Sequence, residues 1–342
     1  MKNKKINKLF FSMTYEFLEE YMPCQASMST DTVRSYRDAL TIFRRYLYEK
    51  RGISVSKFLF EDCTKDCVMG FVEHLKNDKH CKAGTCNQRV AVIKSYLWYA
   101  AGKDISLEPI AIRVSKTPPC KDRRKEREAL SDEALAGILC QPPNTKKGMR
   151  DRTIMALLYD SAVRVSELLG LKLGDINVVS SEPYIRVFGK GNKERIIGIS
   201  IDTAEHLKNY ISVYHAIPLK EKPLFFTTIK GVTDQMSVGN VERFIKQYAD
   251  EVRDFCVDVP ESVYPHMLRR TRATNLYQDG IELELISKIL GHVKTETTKI
   301  YAKPSLKQMR DAIESVETPE QKVEVPLWEG NEDEMARKFG LR

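Results

Sequence analysis

The chain has 342 residues, 42% of them hydrophobic, enough to fill the cores of roughly two domains of about 100–200 residues each and to exclude disorder along the whole length. Charged residues make up 30%, and no stretch approaches the roughly 18 consecutive apolar residues of a membrane span. Lys and Arg number 55 against 47 Asp and Glu; the net charge of +8 suits a nucleic-acid partner only if the positive charge is concentrated somewhere.

The first residues carry lysines and then Leu9-Phe10-Phe11, but this apolar run is too short for a signal peptide and Glu16, Glu19 and Glu20 follow at once, so a cytoplasmic protein is expected. Apolar residues recur at helical spacing over 6–21, 33–48, 68–75 and 90–99, which predicts a small bundle of four helices filling residues 1–103. Ser29, Thr30 and Asp31, then Thr64, then Gly84-Thr85 supply helix starts, while Pro23 and Gly52 mark breaks. The cysteines are expected to be reduced thiols. Cys63, Cys67, His80, Cys81 and Cys86 lack the matched short pairs of a zinc site, so no metal and no cofactor is expected.

Residues 104–129 are broken by Pro109, Pro118 and Pro119 and carry Arg113, Lys116, Lys121, Arg123, Arg124, Lys125 and Arg127 against Asp122 and Glu126. This reads as an extended basic interdomain linker. Such runs are usually solvated surface, but a position between two domains favours a path along a phosphate backbone. A second domain over 130–317 opens with Ser131 or Asp132 as N-cap, followed by helices near 132–140 and 148–161. Alternation in Tyr184–Phe188 and Glu194–Ile199 around Gly191-Asn192 predicts a β-hairpin. Helices are predicted near 202–214, 237–255, 265–278, 282–290 and 305–316, with a short strand at Leu224–Phe226. Residues 318–342 form a mostly acidic tail ending in Arg337-Lys338. The fold class is therefore mainly α with a small antiparallel β-sheet.

Four segments carry polar residues suited to chemistry: Arg164 with Glu167, Gly189-Lys190-Gly191-Asn192-Lys193-Glu194-Arg195, His266 with Arg269, and Leu290-Gly291-His292 with Tyr301 nine residues on. Singly, each fits an ordinary helix pair, a hairpin turn or a core tyrosine. Together they resemble the tyrosine recombinase (phage integrase) family, whose catalytic set of Arg, Lys, His-x-x-Arg, His or Trp, and Tyr matches Arg164, Lys190, His266, Arg269, His292 and Tyr301 in order. Glu167 matches the family's acidic residue. Residues 1–103 resemble its SAM-like core-binding domain, and the second domain its α+β catalytic domain. Arg270 stands where many members have His, and Gly198 where a Pro often ends the hairpin.

The resemblance implies strand cleavage and rejoining through a 3′-phosphotyrosyl intermediate, without ATP or metal. A tyrosine hydroxyl ordinarily titrates near pH 10, so about one in a thousand is ionised at pH 7, a cost of roughly 4 kcal/mol that nearby bases and cations must offset. In this scheme Tyr301 is the nucleophile and His266 the candidate base. Arg164 and Arg269 hold the phosphate oxygens, Lys190 protonates the leaving oxygen, His292 donates to the phosphate, and Glu167 orients its neighbours. Arg113, Lys116, Lys121, Arg123, Arg124, Lys125, Lys193 and Arg195 are expected on DNA. The implied partner is double-stranded DNA at specific recombination sites, bound by a homotetramer on two sites, with or without a paralogous recombinase, and with no membrane. The chain looks like an Xer-type or simple transposon-type integrase, with a lean toward a mobile element. A type IB topoisomerase is the alternative. The tail reads equally as a subunit-docking segment and as a disordered acidic end.

Overall fold

A computed structural model describes residues 8–26, 28–121, 129–189, 193–229, 231–292, 297–301, 308–310 and 332–341. The chain divides into two units, 1–127 and 128–342. In the first, a helix of wide turns over Glu16–Gln25 precedes α1 (Thr30–Arg51), α2 (Lys65–Asn77), α3 (Ala83–Lys103) and α4 (Glu108–Ser115). Ser29 caps α1 by accepting from the Thr32 N–H, and Thr64 caps α2 by accepting from Cys67, each satisfying a donor that the helix itself leaves open. Gly52, with φ of 65°, ends α1 where the sequence marks a break. Pro23, expected as a break, instead lies inside the first helix, which runs two residues further.

The core of this unit is aromatic. Phe10 meets Phe43, Phe58 and Tyr96 in edge-on contacts, with ring centroids 5.7, 5.4 and 5.1 Å apart, and the Tyr96 hydroxyl donates to the Phe10 carbonyl. Cys63, Cys67 and Cys86 are buried in the same core as free thiols.

The expected linker over 104–129 is corrected in its first two thirds. Residues 105–115 are helical, and α4 buries Ile110, Ala111 and Val114 in the first unit's core. Pro109 sits in the first turn of α4, where a missing N–H costs nothing, so it starts the helix. The following residues are tied down too: Lys94 donates to the Ser115 and Thr117 carbonyls, and the Asn87 amide both donates to and accepts from the Cys120 backbone. Arg113, Lys116 and Lys121 are exposed on this part, whereas Arg123, Arg124, Lys125 and Arg127 lie outside the described residues.

The second unit begins with α5 (Asp132–Cys140), capped by Ser131, then α6 (Lys146–Ser161) and the short α7 (Val165–Leu169). A three-stranded antiparallel sheet follows, in the order β1 (Ile176–Asn177), β2 (Tyr184–Phe188), β3 (Glu194–Gly198), with Ile185 opposite Ile197 and Val187 opposite Arg195. After α8 (Ile201–Tyr214), a second hairpin pairs β4 (Phe226–Ile229) with β5 (Val232–Gln235). The strand predicted at Leu224–Phe226 is thus displaced: Leu224 and Phe225 are core residues. Its partner β5 is not legible in the sequence because all four of its residues are exposed and carry no apolar alternation. Helices α9 (Val238–Arg253), α10 (Pro265–Gln278) and α11 (Leu283–Leu290) complete the core. Of the helix predicted at 305–316, the described residues 308–310 are helical. Within the expected tail, α12 (Glu332–Lys338) places acids in its first turn and Arg337 and Lys338 in its last, the favourable sense for the helix dipole.

The chain enters this unit through a buried hydrogen bond of 2.9 Å from the Leu130 N–H to Thr271 Oγ1 on α10. Thr271→Val keeps the shape but strands that N–H. Its denaturant unfolding should show a loss of about 1–3 kcal/mol for the second unit, whereas substitution at the exposed Ser212 should leave stability unchanged.

Candidate active site

Helix α6 ends at Ser161, and Ala162 takes the left-handed conformation, φ 51° and ψ 27°. For an alanine that costs roughly 1–2 kcal/mol, yet it turns the chain so that Arg164 becomes the N-cap of α7. Glu167, three residues into α7, reaches back to the Arg164 N–H through Oε2 at 3.0 Å, the acidic half of a capping box. Its Oε1 accepts from Arg164 Nη1 at 2.8 Å. The Glu167 side chain is 7% exposed and that of Arg164 41%, so the carboxylate is internal while the guanidinium faces outward.

Helix α10 starts at Pro265, with His266 exposed beside it and Arg269 one turn further in, 1% exposed. Arg269 donates from Nη1 to the Ala162 carbonyl and from Nη2 to the Leu290 carbonyl, both at 2.7 Å, and lies 3.2 Å from His292 Nε2. Helix α11 ends in a Schellman turn: the Gly291 N–H donates to the Lys288 carbonyl and the His292 N–H to that of Ser287, with φ of 63° at Gly291. Tyr301 stands on a 3₁₀ turn, Lys299–Tyr301, and is 3% exposed. Its ring packs with Ala162, Ala273, Ile286 and Leu290 and stacks on His292 at 6.2 Å and 19°.

A match to the phage integrase family spans residues 123–308, more than half of the chain, and a match to the phage integrase SAM-like domain spans 9–112. The chain belongs to the phage integrase family. It is a tyrosine recombinase, a DNA strand-transferring enzyme whose partner is DNA. Tyrosine recombinase XerD of Staphylococcus haemolyticus (strain JCSC1435) is 28% identical over 299 residues, 86% of this chain and 95% of its own length. The XerH site-specific recombinase bound to difH substrate shares the fold at a TM-score of 0.63, with 20% identity over 86% of this chain and 83% of that one. The Tn1549 transposon integrase in complex with circular intermediate DNA does so at 0.66, with 14% identity over 88% and 98%. These relatives are recombinases, and the topoisomerase alternative falls away.

The recombinase brings Arg164, Glu167, His266, Arg269, His292 and Tyr301 into one electrostatic neighbourhood. Lys190 lies outside the described residues. The strands flanking it are closed by a 2.8 Å bond from the Gly189 N–H to the Lys193 carbonyl, and Lys193 is exposed. Arg195, expected on DNA, is turned inward: its side chain is 15% exposed and its guanidinium is spent on Glu167 and the Ile289 carbonyl. Strand alternation carries that signal, since Arg195 and the buried Ile197 share a face. Arg270, the departure from the family pattern, is also buried, with Nη1 3.4 Å from the Tyr264 hydroxyl. Sequence reasoning misses Thr298, which pairs with His292 Nδ1 at 2.8 Å, and the two carbonyls that hold Arg269. Among the described residues, no helix is long and apolar enough to cross a membrane.

The crowding of cations shapes the titrations. Burial, then the charges of Arg164 and others, lowers Arg269 to about 10. Burial, then the charges of Arg269, Arg164, His266 and Arg195, pushes His292 down to about 4. Neutral at pH 7, His292 accepts from Arg269 at Nε2 and donates from Nδ1 to Thr298 Oγ1, so both ring nitrogens are engaged within the protein. This differs from the expected donation to a phosphate. Burial drives the Glu167 carboxyl up, but hydrogen bonds from Arg195 and the Arg164 backbone, with the Arg195 charge, hold it below the ordinary carboxylate value.

Because the folded protein resists protonating His292, its stability contribution is complete above pH 6.5 and is lost as pH falls from 6.5 toward about 4. The His292 imidazole should titrate by NMR near pH 4 in the free protein, and His292→Gln should flatten the pH dependence of unfolding across that window.

Proposed function

We propose that Tyr301 cleaves one DNA strand by attacking a phosphodiester held on Arg164 and Arg269, with His266 accepting the phenolic proton. The Tyr301 oxygen–phosphorus bond forms, the bond from phosphorus to the 5′ oxygen breaks, and Lys190 delivers a proton to that oxygen. The product is a 3′-phosphotyrosyl enzyme and a free 5′ hydroxyl. A 5′ hydroxyl of a second duplex reverses the step, giving exchange. The phosphotyrosyl bond conserves the energy of the broken diester, so religation needs no ATP. The fixed guanidinium charges stabilise the extra negative charge of the transition state, the task that a metal ion performs in other phosphoryl transfers. The observation that carries this reading is the convergence of Arg164, Arg269 and His292 beside Tyr301.

The working form is a cytoplasmic homotetramer on two specific DNA sites, assisted in some settings by a paralogous recombinase, with Arg113, Lys116, Lys121, Arg123, Arg124, Lys125 and Lys193 on phosphates.

On a nicked suicide duplex, the wild type should accumulate a covalent protein–DNA adduct and Tyr301→Phe none; an adduct with the Phe variant removes Tyr301 as nucleophile. Arg164→Ala should slow adduct formation by a factor on the order of 10²–10³. Lys190→Ala should slow cleavage by about 10²–10⁴, and a substrate whose leaving oxygen is replaced by sulfur, which departs without a proton, should restore it. Failure of the sulfur substrate to rescue removes Lys190 as the acid.

A further inference from the structure

We propose that Arg195 is a positioning residue for cleavage and not a DNA contact: its forked guanidinium holds Glu167 in the geometry that aims Arg164, and joins that pair to the corner carrying His292. The proposal rests on the assignment of Arg164, Glu167 and Tyr301 given above.

The hydrogen-bond accounting is complete on the carboxylate. Glu167 Oε1 accepts from Arg164 Nη1 at 2.8 Å and Arg195 Nη1 at 3.3 Å, and Oε2 from the Arg164 N–H at 3.0 Å and Arg195 Nη2 at 2.8 Å. Arg195 thus grips both oxygens from β3 while Arg164 grips both from α7. A bidentate pair of this kind fixes orientation as well as charge. The remaining edge of the Arg195 guanidinium donates from Nε to the Ile289 carbonyl at 3.2 Å, on the last turn of α11. With three of its five N–H groups directed inward and a side chain 15% exposed, Arg195 is built into the protein.

The backbone makes room for this guanidinium. A Cβ on Gly291 would lie 2.9 Å from both Cζ and Nη1 of Arg195, closer than real Cβ atoms come. A Cβ on Gly189 would lie 3.4 Å from Nη1. The glycine before His292 and the glycine before Lys190 therefore both border the Arg195 fork. Gly291 has a second reason to be glycine in its φ of 63°, but that conformation alone does not explain the close approach.

Chemically, Arg195 keeps Glu167 ionised where burial opposes ionisation. The charged groups facing Glu167 among the described residues are Arg164 on α7, Arg195 on β3 and Arg269 on α10, with His292 next to them after α11. Of the influences that lower the carboxyl, the Arg195 hydrogen bond is the largest. Without it, burial raises the Glu167 pKa, and a protonated Glu167 loses an acceptor for Arg164. The ionised form is the active one, so the acid limb of cleavage moves to higher pH.

The test uses the full chain with R195Q and R195K. Single-turnover adduct formation on the suicide duplex is followed from acidic to alkaline pH, and DNA affinity is followed against salt. R195Q should cleave about 10²-fold more slowly, the scale of a misplaced catalytic group. Its acid limb should shift upward and its rate should partly recover in alkali, while the salt slope of binding stays that of the wild type. R195K, which keeps the charge and a long side chain, should fold and bind DNA normally yet remain slow, because a single ammonium cannot fork across both Glu167 oxygens. A drop of about one in the salt slope for R195Q, the signature of one lost phosphate contact, overturns the proposal. So does wild-type cleavage by R195K, which a simple phosphate contact would tolerate. Both outcomes bear on Arg195 when wild type forms the adduct and Tyr301→Phe does not; a different result in those controls strikes the assignment of the site itself.

Discussion

Three guanidinium groups converge on one carboxylate, and most of what is distinctive in the catalytic unit follows from that imbalance. Arg164 and Arg195 share the Glu167 oxygens, and Arg269 lies buried beside them with carbonyls as its hydrogen-bond partners. Two positive charges are left over. The surplus is visible in Arg269, lowered to about 10, and in His292, lowered to about 4 and so neutral at pH 7. Such an arrangement is electrostatically unfinished in the free protein. A phosphodiester brings one negative charge and the transition state for its cleavage a second. In the proposed reaction this cradle is better matched to the transition state than to the ground state, which is the requirement for catalysis by fixed charge.

The cradle depends on two corners of the backbone, both left-handed. Ala162 ends α6 just ahead of Arg164, and Gly291 ends α11 just ahead of His292. Arg269 donates to the Ala162 carbonyl and to that of Leu290, next to Gly291, so one guanidinium from α10 pins both corners. The positions of Arg164 and His292 are therefore both referenced to the same buried side chain. Carbonyls left open at helix ends need partners, and Arg269 supplies them while keeping its own charge in place. Loss of Arg269 is consequently a structural as well as a chemical event.

The helices of the catalytic unit and the β2–β3 hairpin are legible in the sequence because their patterns are strong: period-two alternation in Tyr184–Phe188 and Glu194–Gly198, and a serine cap at Ser131. The catalytic set is legible only as a constellation, since each motif alone is an ordinary pair or turn. Four features escape the sequence, each for a physical reason. Prolines and basic charge make residues 105–115 look like a linker, yet Pro109 starts a helix and Ile110, Ala111 and Val114 supply its buried face. The β4–β5 hairpin has an exposed second strand, so burial leaves no imprint on its sequence. The charge of Arg195 points to DNA while its strand parity points inward, for Val187 opposite it and Ile197 beyond it are both buried. The contact between Thr298 and His292 crosses a turn, and no periodicity encodes it.

The cations and the proposed nucleophile are held in different ways. Arg164, Arg195 and Arg269 are fixed by side-chain bonds to the Glu167 carboxylate on α7, to the Ala162 carbonyl just after α6, and to the Ile289 and Leu290 carbonyls on α11, elements packed into the unit's main core or its neighbouring cluster. Tyr301 sits on a single 3₁₀ turn, held by its N–H to the Thr298 carbonyl and by apolar contact and stacking of its ring. Apolar contacts of one ring are non-directional, whereas the bidentate grips on Glu167 specify angle and distance. The turn also carries Thr298, whose hydroxyl pairs with His292 Nδ1, so displacement of the turn alters the partners of the imidazole and the position of Tyr301 together. In the proposed reaction, a phosphate on the outward face of Arg164 meets cations oriented by directional bonds, beside a tyrosine whose ring is held among the described residues by apolar contact and by stacking on His292.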